Sequence, residues 1–333
     1  MKKKLKEKFI IIVYGPTAVG KSSFAEKLAR KIPSQIVNCD IGQFYTPLTI
    51  GTAKPDWRTS DIKHQLFDII DEPRYFNVSE YRDILFKTVE KIWTENEIPI
   101  LVGGSGFYLK SLFFPPIPKG SISIESTEGR ENMSDAQLWE TLNKIDSQRA
   151  ARIKQNDRYR VERALDIWKT TGKKPSDFLP IYNFPNKFLF LFLTRDREQL
   201  YKRVNDRVFQ MIDEGWIDEV KGLMGTKWEK FLKGKKIIGY DLIIDYLKEP
   251  DSHKPDKLDK LIVDIQKKTR NYAKRQITFW KSFEKELKRE IESFKSKNKD
   301  LNFYPKTDLI NLTLLDLDLY ISQLLNNLNH LFE

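Results

Sequence analysis

The chain has 333 residues, of which 40% are hydrophobic, so it can bury a large core in one domain with an insertion or in two domains. Its single cysteine, Cys39, excludes a disulfide framework or a zinc site built on several cysteines, and favours a reducing, cytoplasmic compartment. The formal net charge of +11 suits a polyanionic partner such as nucleic acid, although a lysine-rich proteome would give the same excess.

The first predicted elements are a strand, a glycine loop and a helix. The apolar, β-branched run Phe9–Val13 is typical of a buried strand, and apolar residues at helical spacing follow the loop. The loop fits the phosphate-binding pattern G-x-x-x-x-G-K-[ST], and its residues are Gly15, Pro16, Thr17, Ala18, Val19, Gly20, Lys21 and Ser22. Backbone N–H groups, the helix N-terminus and Lys21 would surround a phosphate, and the Ser22 hydroxyl would hold Mg²⁺. The apolar run is too short to span a membrane, and its removal as a signal peptide would destroy the loop.

Two further strands are predicted to end near this loop. Residues 35–40 form a short strand segment closed by Asp40, and carboxyl ends of parallel strands form the ligand-binding edge of open α/β sheets. There Asp40 would hold Mg²⁺ or accept a proton, or it would simply cap the next helix. Ile98–Val102 predicts a third buried strand, which ends in Gly-Gly-Ser-Gly and not in the second acid of P-loop NTPases. This ending argues against ATP hydrolysis.

The composition changes between Pro115 and Pro185. A proline-rich linker and a Gly/Ser/Glu stretch lead into residues 136–171, which are helical in pattern and rich in arginine. We predict a helical insertion with a basic face, which would be either a nucleic-acid surface or a solvated helix face. The predicted fold class is therefore α/β, a P-loop NTPase-like parallel sheet flanked by helices, with an inserted helical domain. Its segments are 1–114 and 187–333 for the core and 115–186 for the insertion.

The last part of the chain returns to the sheet and then becomes helical. Lys187–Thr194 predicts a strongly apolar strand, and the next helix carries Arg203 and Arg207 on one face, where they could clamp a diphosphate. A helix over Leu258–Lys281 interleaves basic and aromatic residues. This pattern suits an RNA surface or an amphipathic core helix with a solvent-exposed basic side. From Phe283 on we predict a charged helix and then a leucine- and asparagine-rich segment. The leucines of that segment, expected to pack on the core, are Leu312, Leu314, Leu315, Leu317 and Leu319.

Several motifs in order resemble the bacterial tRNA dimethylallyltransferases. They are GPTAVGKS, CDIGQFY, IGTAKP, HQLFDI, LVGGSGFYLKSL, NDRYRVERALDIWKTTGK, RVNDRVFQMIDEG, IIGY and TRNYAKRQITFW, and they cover nearly the whole chain. The resemblance implies transfer of a dimethylallyl group from dimethylallyl diphosphate to N6 of the adenosine 3′-adjacent to the anticodon in tRNAs, with release of diphosphate. It further implies Mg²⁺ as cofactor and the tRNA anticodon stem-loop as partner, and we expect a monomer without membrane association.

The resemblance also implies roles for individual residues. Asp40 would be the general base for the N6 proton, Thr17 and Ser105 would line the channel between donor and acceptor, and Arg207 with Lys21 would stabilise the leaving diphosphate. The phosphate loop, residues 15–22, would bind the donor diphosphate, and Ser22 would hold Mg²⁺. The implied tRNA-binding residues are Asp40, Ile41, Gly42, Gln43, Tyr159, Arg160, Val161, Glu162, Arg163, Lys236, Ile237, Ile238, Gly239, Tyr240, Lys274 and Arg275. Ile41 and Asp241 stand where the family usually has a serine and often a basic residue.

Three other functions remain open at this point. An adenylate (AMP or ADP) isopentenyltransferase would share the chemistry but would have no use for a long basic insertion. A small-molecule P-loop kinase would use Asp40 to activate a hydroxyl, and a non-catalytic RNA-binding P-loop protein would leave Lys21, Ser22 and Asp40 idle. The acceptor that gains a labelled prenyl group would separate these functions.

Overall fold

The computed structural model describes residues 5–116, 130–178, 182, 187–235, 237–250, 254–297 and 305–331. Its strands are Ile10–Tyr14 (β1), Ser34–Asn38 (β2), His64–Gln65 (β3), Ile98–Gly103 (β4), Phe188–Thr194 (β5) and Lys306–Asn311 (β6). Its α-helices are Lys21–Ala29 (α1), Val78–Thr94 (α2), Gly106–Phe113 (α3), Asp135–Ile145 (α4), Ser147–Ala150 (α5), Arg158–Thr171 (α6), Arg197–Asp213 (α7), Trp216–Lys221 (α8), Lys227–Lys235 (α9), Tyr240–Lys248 (α10), Pro255–Lys297 (α11) and Leu317–Leu328 (α12). Short 3₁₀ turns cover Ile41–Phe44, Ile50–Thr52, Pro175–Asp177 and Asn329–Leu331.

The strands form one parallel sheet in the order β3-β2-β4-β1-β5-β6. β1 lies between β4 and β5, and Ile12 pairs with Leu101 on one side and Phe190 on the other. Strands covered by helices on both faces are apolar along their whole length, which explains the continuous hydrophobic runs of β1 and β5. The predicted parallel sheet with flanking helices is confirmed.

The end of the chain differs from the prediction. β6 was not predicted; it pairs with β5 at the edge of the sheet, where Leu189 is opposite Lys306. α11 is one continuous helix, where two successive helices, over 258–281 and from Phe283 on, were predicted. Among the tail leucines, Leu314 and Leu319 are exposed: Leu314 lies in the turn between β6 and α12, and Leu319 lies in the first turn of α12. The other three pack against the core, in line with the prediction.

The chain separates into two compact units, one of Met1–Phe113 with Phe184–Glu333 and the other of Phe114–Asn183. The first contains the sheet. In the second, α4, α5 and α6 pack around an apolar cluster that includes Leu138, Leu142 and Leu165. A side-chain cap and a capping box at Ser134 begin α4, and Gly172 in a left-handed conformation ends α6. Within the described ranges, no helix is both long and apolar enough to cross a membrane.

Candidate active site

The phosphate loop connects β1 to α1 at the carboxyl edge of the sheet. The backbone turns through left-handed conformations at Ala18 (φ 61°) and Gly20 (φ 112°), and α1 begins at the next residue, Lys21. Glycine adopts such a conformation without a steric penalty, which accounts for its place before the helix. The Lys21 ammonium donates hydrogen bonds to the carbonyl oxygens of Gly15 and Pro16, each at 3.0 Å. The loop is therefore closed around a cation.

Three side chains from distant parts of the chain hold the loop in place. Gln276 of α11 accepts a hydrogen bond from the Thr17 N–H at 2.8 Å and donates one to the Gly104 carbonyl at 2.8 Å, which connects the loop to the end of β4. Arg195 and Arg203 donate to the carbonyls of Val19 and Ala18, each at 2.8 Å. The loop geometry is thus fixed by contacts beyond its own sequence.

Asp40 lies two residues beyond β2, beside the phosphate loop. Its N–H donates to the Asn38 side-chain oxygen at 2.8 Å, and the Ser105 hydroxyl lies 3.4 Å from its Oδ1. The same Ser105 oxygen accepts the Ile41 N–H at 3.0 Å. Burial raises the pKa of the Asp40 carboxyl, whereas the charge of Lys21 and hydrogen bonds from neighbouring backbone oppose that rise. A carboxylate with a raised pKa accepts a proton more readily than an ordinary aspartate.

Two cavities meet at Asp40. The smaller, of about 100 Å³, is lined by the phosphate loop and by Gln43 and Arg203. The larger, of about 470 Å³, has apolar walls from Val208, Met211 and Trp216 among others. The residues that line both cavities are Thr17, Asp40, Thr52, Ala53 and Arg207. A size of several hundred cubic ångströms with a few polar groups is typical of a small-molecule site.

The charges at this junction suit an anion. Burial, together with the charge of nearby Arg207, lowers the pKa of Lys21 to about 8 against the opposing effect of Asp40. Burial and the neighbouring Arg203 also lower the pKa of Arg207. Burying a cation without a partner is costly, and binding of an anion beside these side chains would stabilise them. The arrangement can hold a phosphate compound in the smaller cavity and an organic group in the larger one, with a carboxylate between them.

The pH dependence of diphosphate binding tests this assignment. In the free protein Lys21 is mostly charged below about pH 8 and mostly neutral above it. Because binding then requires proton uptake, the affinity for inorganic diphosphate should fall as pH rises, by up to about tenfold per pH unit. Calorimetric titration of diphosphate over this range measures the effect. In Lys21→Arg, whose guanidinium keeps its charge, the decrease should disappear; a pH-independent Kd in the unchanged protein would contradict the assignment.

The structure brings most of the predicted site residues of the first unit to these cavities. Asp40, Thr17 and Arg207 line both cavities, and Ser105 contacts Asp40. Gln43 lines the smaller cavity. Besides Asp40, the predicted tRNA-binding residues that line the larger cavity are Ile41, Gly42, Ile237, Ile238 and Arg275. Lys274 is exposed on α11, and Lys236 lies outside the described residues.

Two predicted tRNA contacts are buried within their own units. Val161 is fully buried in the α4–α6 cluster, and Tyr240 is fully buried with its hydroxyl bonded to Glu219 at 2.6 Å. Their side chains therefore cannot reach RNA in this conformation. Tyr159 is exposed, Arg160 is exposed and pairs with Asp157 at 2.6 Å, and the remaining residues of this predicted stretch, Glu162 and Arg163, are partly buried.

Other residues at the site were not predicted. Gln276 is buried on the apolar face of α11. A polar residue at a helix position that is otherwise apolar indicates a buried hydrogen-bonding role, and this pattern was visible in the sequence. Lys235 lines the larger cavity with its ammonium 5.0 Å from the ring centroids of Tyr45 and Tyr75 and 5.3 Å from that of Phe231. These rings stabilise a cation, and burial lowers the pKa of Lys235 to about 8.

Fold and site together define an α/β protein of the P-loop type with a carboxylate beside its phosphate loop. The chain belongs to the IPP transferase family, whose model matches residues 43–283. A tRNA dimethylallyltransferase of Thermotoga maritima is 36% identical over 278 residues, which span 82% of this chain and 90% of the relative.

Solved structures of proteins named for the same activity superpose on this chain. A eukaryotic dimethylallyltransferase acting on tRNA superposes with a TM-score of 0.72 at 28% identity, and the match covers 82% of this chain and 70% of that one. A full-length tRNA isopentenylpyrophosphate transferase from Bacillus halodurans superposes with a TM-score of 0.61 at 28% identity, over 98% of this chain and 97% of that one.

Proposed function

We propose that this protein transfers the dimethylallyl group of dimethylallyl diphosphate to N6 of the adenosine 3′-adjacent to the anticodon in tRNAs, and releases diphosphate. The observation that carries the proposal is the meeting of two cavities at Asp40. The donor's diphosphate would occupy the smaller one, against Lys21, and the carbon of the donor that reacts would face Asp40. Relatives named for this activity support the assignment over a nucleotide hydrolase.

The reaction requires a base and an electrophile held in line. The N6 lone pair attacks C1 of the donor, the C1–O bond breaks, and its electron pair leaves with the diphosphate. Asp40 takes the N6 proton, so the product is a neutral secondary amine. Lys21 and Arg207 stabilise the charge that accumulates on the leaving diphosphate. Because the adenine must leave the anticodon-loop stack to reach Asp40, a single-stranded loop suits the site better than a duplex.

Mg²⁺ fits the phosphate loop as a cofactor. Ser22 follows Lys21, is exposed and lines the smaller cavity, whereas no cluster of three acidic, His or Cys ligands occurs among the described residues. Mg²⁺ commonly binds through one or two protein groups plus phosphate oxygens and waters, which matches this sparse set. When bound, it would neutralise charge on the leaving diphosphate. We further propose a cytoplasmic location, consistent with the buried, reduced Cys39.

The α6 segment around Arg160 is proposed as part of the tRNA surface. Arg160 exposes 68% of its side chain and pairs with Asp157 at 2.6 Å. Reversing this charge, Arg160→Glu, should weaken tRNA binding and reduce the slope of log affinity against log salt by about one. Filter binding of tRNA across salt concentrations measures both quantities, with the exposed Lys202→Glu on α7 as control. An unchanged slope would count against this surface.

The proposal as a whole is tested with labelled dimethylallyl diphosphate. The full chain is incubated with Mg²⁺ and either bulk tRNA or AMP, and the acceptor that gains label is identified. Label on tRNA alone is expected. Label on AMP in preference to tRNA would favour the adenylate transferase, and release of label without an acceptor product would overturn the proposal.

A further inference from the structure

The segment Thr49–Ala53, called here the 49–53 segment, forms a wall of both cavities. Gly51, Thr52 and Ala53 line the larger cavity, and the last two also line the smaller one. The carbonyls of Thr52 and Ala53 each accept a hydrogen bond from the Gln43 amide at 3.1 Å. The segment carries no ionisable group, so its contribution to the site is its position.

One carboxylate holds the beginning of this segment. Glu219 of α8 accepts hydrogen bonds from the N–H groups of Thr49 at 2.9 Å, Ile50 at 2.7 Å and Gly51 at 3.3 Å. It also accepts the Tyr240 hydroxyl at 2.6 Å. The first N–H groups of a helical turn have no partner within the turn, and a carboxylate there satisfies them with charge-assisted bonds. Four donors from two elements thus converge on Glu219.

The neighbouring Trp216 fixes the same segment by packing. A Cβ atom on Gly51 would lie 2.0 Å from the Trp216 indole nitrogen, and one on Gly239 would lie 2.1 Å from the same ring. Only glycine permits so close an approach on both sides. The ring is 2% exposed and forms part of the larger cavity's wall. α8 therefore holds the 49–53 segment by a carboxylate and by an indole at once.

We propose that Glu219 is a positioning residue, which, through the 49–53 segment, sets the orientation of the reacting groups at Asp40 without touching either substrate. This inference rests on the proposed function. Gln43 links the segment to the site. Its amide nitrogen donates to the segment, and these hydrogen bonds fix the direction in which its amide oxygen points. Tyr240, whose hydroxyl completes the Glu219 site, belongs to this support and not to an RNA surface.

The kinetic test compares Glu219→Gln with Asp218→Asn, an exposed carboxylate on the same helix. Glu219→Gln loses the charge and presents an amide to N–H groups, so kcat at saturating substrates should fall about 10²-fold, the cost of a misplaced reacting group. Kd for dimethylallyl diphosphate should stay close to that of the control. Tyr240→Phe should give a smaller decrease in kcat, because the three N–H groups keep their acceptor.

Hydrogen exchange provides a readout that does not depend on activity. In Glu219→Gln the amides of residues 49–51 should exchange at least about tenfold faster than in Asp218→Asn, while β1 and β4 amides keep their protection. Unchanged exchange at 49–51, or a kcat within twofold of the control, would overturn the proposal. So would a loss of kcat that only follows the fraction of protein able to bind donor, since that indicates general unfolding. Inactivity of the unchanged protein towards tRNA would instead contradict the proposed function, and the exchange result would still decide the role of Glu219.

Discussion

Replacing Asp40 with asparagine is expected to slow prenyl transfer about 10²- to 10⁴-fold, the range that a positioned general base contributes. Asparagine keeps the shape and the contact with Ser105 but cannot take the N6 proton. Donor affinity should not fall, because the substitution removes a negative charge beside the diphosphate site. Single-turnover assays with labelled donor and saturating tRNA measure the chemical step apart from binding.

The acid side of the pH–rate profile gives a second measure of the same residue. The base must be ionised, so transfer is lost as pH falls through the pKa of Asp40, which burial raises above its ordinary value of 3.8. This limb should vanish in Asp40→Asn. Asp61→Asn, at an exposed carboxylate paired with Arg30, serves as the control and should behave as the unchanged protein. Full activity of Asp40→Asn would remove Asp40 as the base.

The second large effect is expected for Lys21→Met. Methionine retains the length of the side chain but not its charge, so the leaving diphosphate loses one preorganised cation, typically worth about 10²- to 10³-fold in rate. Donor kcat/KM should fall by at least that factor, whereas tRNA affinity should not change. Steady-state kinetics with varied donor and saturating tRNA measure the loss.

Lys27→Met is the matched control for this experiment. Lys27 lies on the same helix, but its exposed ammonium pairs with Asp318 at 2.9 Å and not with the phosphate loop. A surface ion pair of this kind contributes little, so the control should retain activity. Equal losses in both variants would indicate damage to α1 and would contradict a specific role for Lys21.

The elements around the phosphate loop could be predicted because their information is local. A β-branched run, a spaced glycine pattern and an apolar helix face adjoin in sequence, and the predicted strand Phe9–Val13 differs by one residue at each end from Ile10–Tyr14. Asp40 followed from a general rule about the carboxyl edge of parallel sheets. In each case the deciding contacts lie within a few residues or are imposed by the fold class.

β6 could not be predicted in the same way. Lys306, Thr307 and Asp308 are polar, and they are strand residues because β5 offers an edge to pair with. Their sequence alone resembles a loop. α11 was predicted as two helices. It is continuous because no glycine or proline interrupts the chain near Lys281 and the charged residues that follow are good helix formers.

Gln276 and Glu219 were beyond prediction because their partners are far away in the chain. Gln276 bonds to Gly104 across 172 positions, and Glu219 bonds to Thr49 across 170. Gln276 lies within the motif TRNYAKRQITFW and Glu219 lies in none of the quoted motifs, but each resembles an ordinary polar residue of a helix. Their roles arise only when the sheet brings α8 and α11 to the ends of β2 and β4.

The length of α11 itself has an evolutionary consequence. An α-helix turns about 100° per residue, so loss or gain of one residue rotates everything beyond it by that angle. In α11 such a change ahead of Gln276 would carry its amide away from the Thr17 N–H and bring a neighbour, the exposed Arg275 or the partly buried Ile277, into its place. Lineages of this gene should therefore accumulate substitutions freely on the outward side of the helix, while insertions and deletions gather before Pro255 or after the last turn.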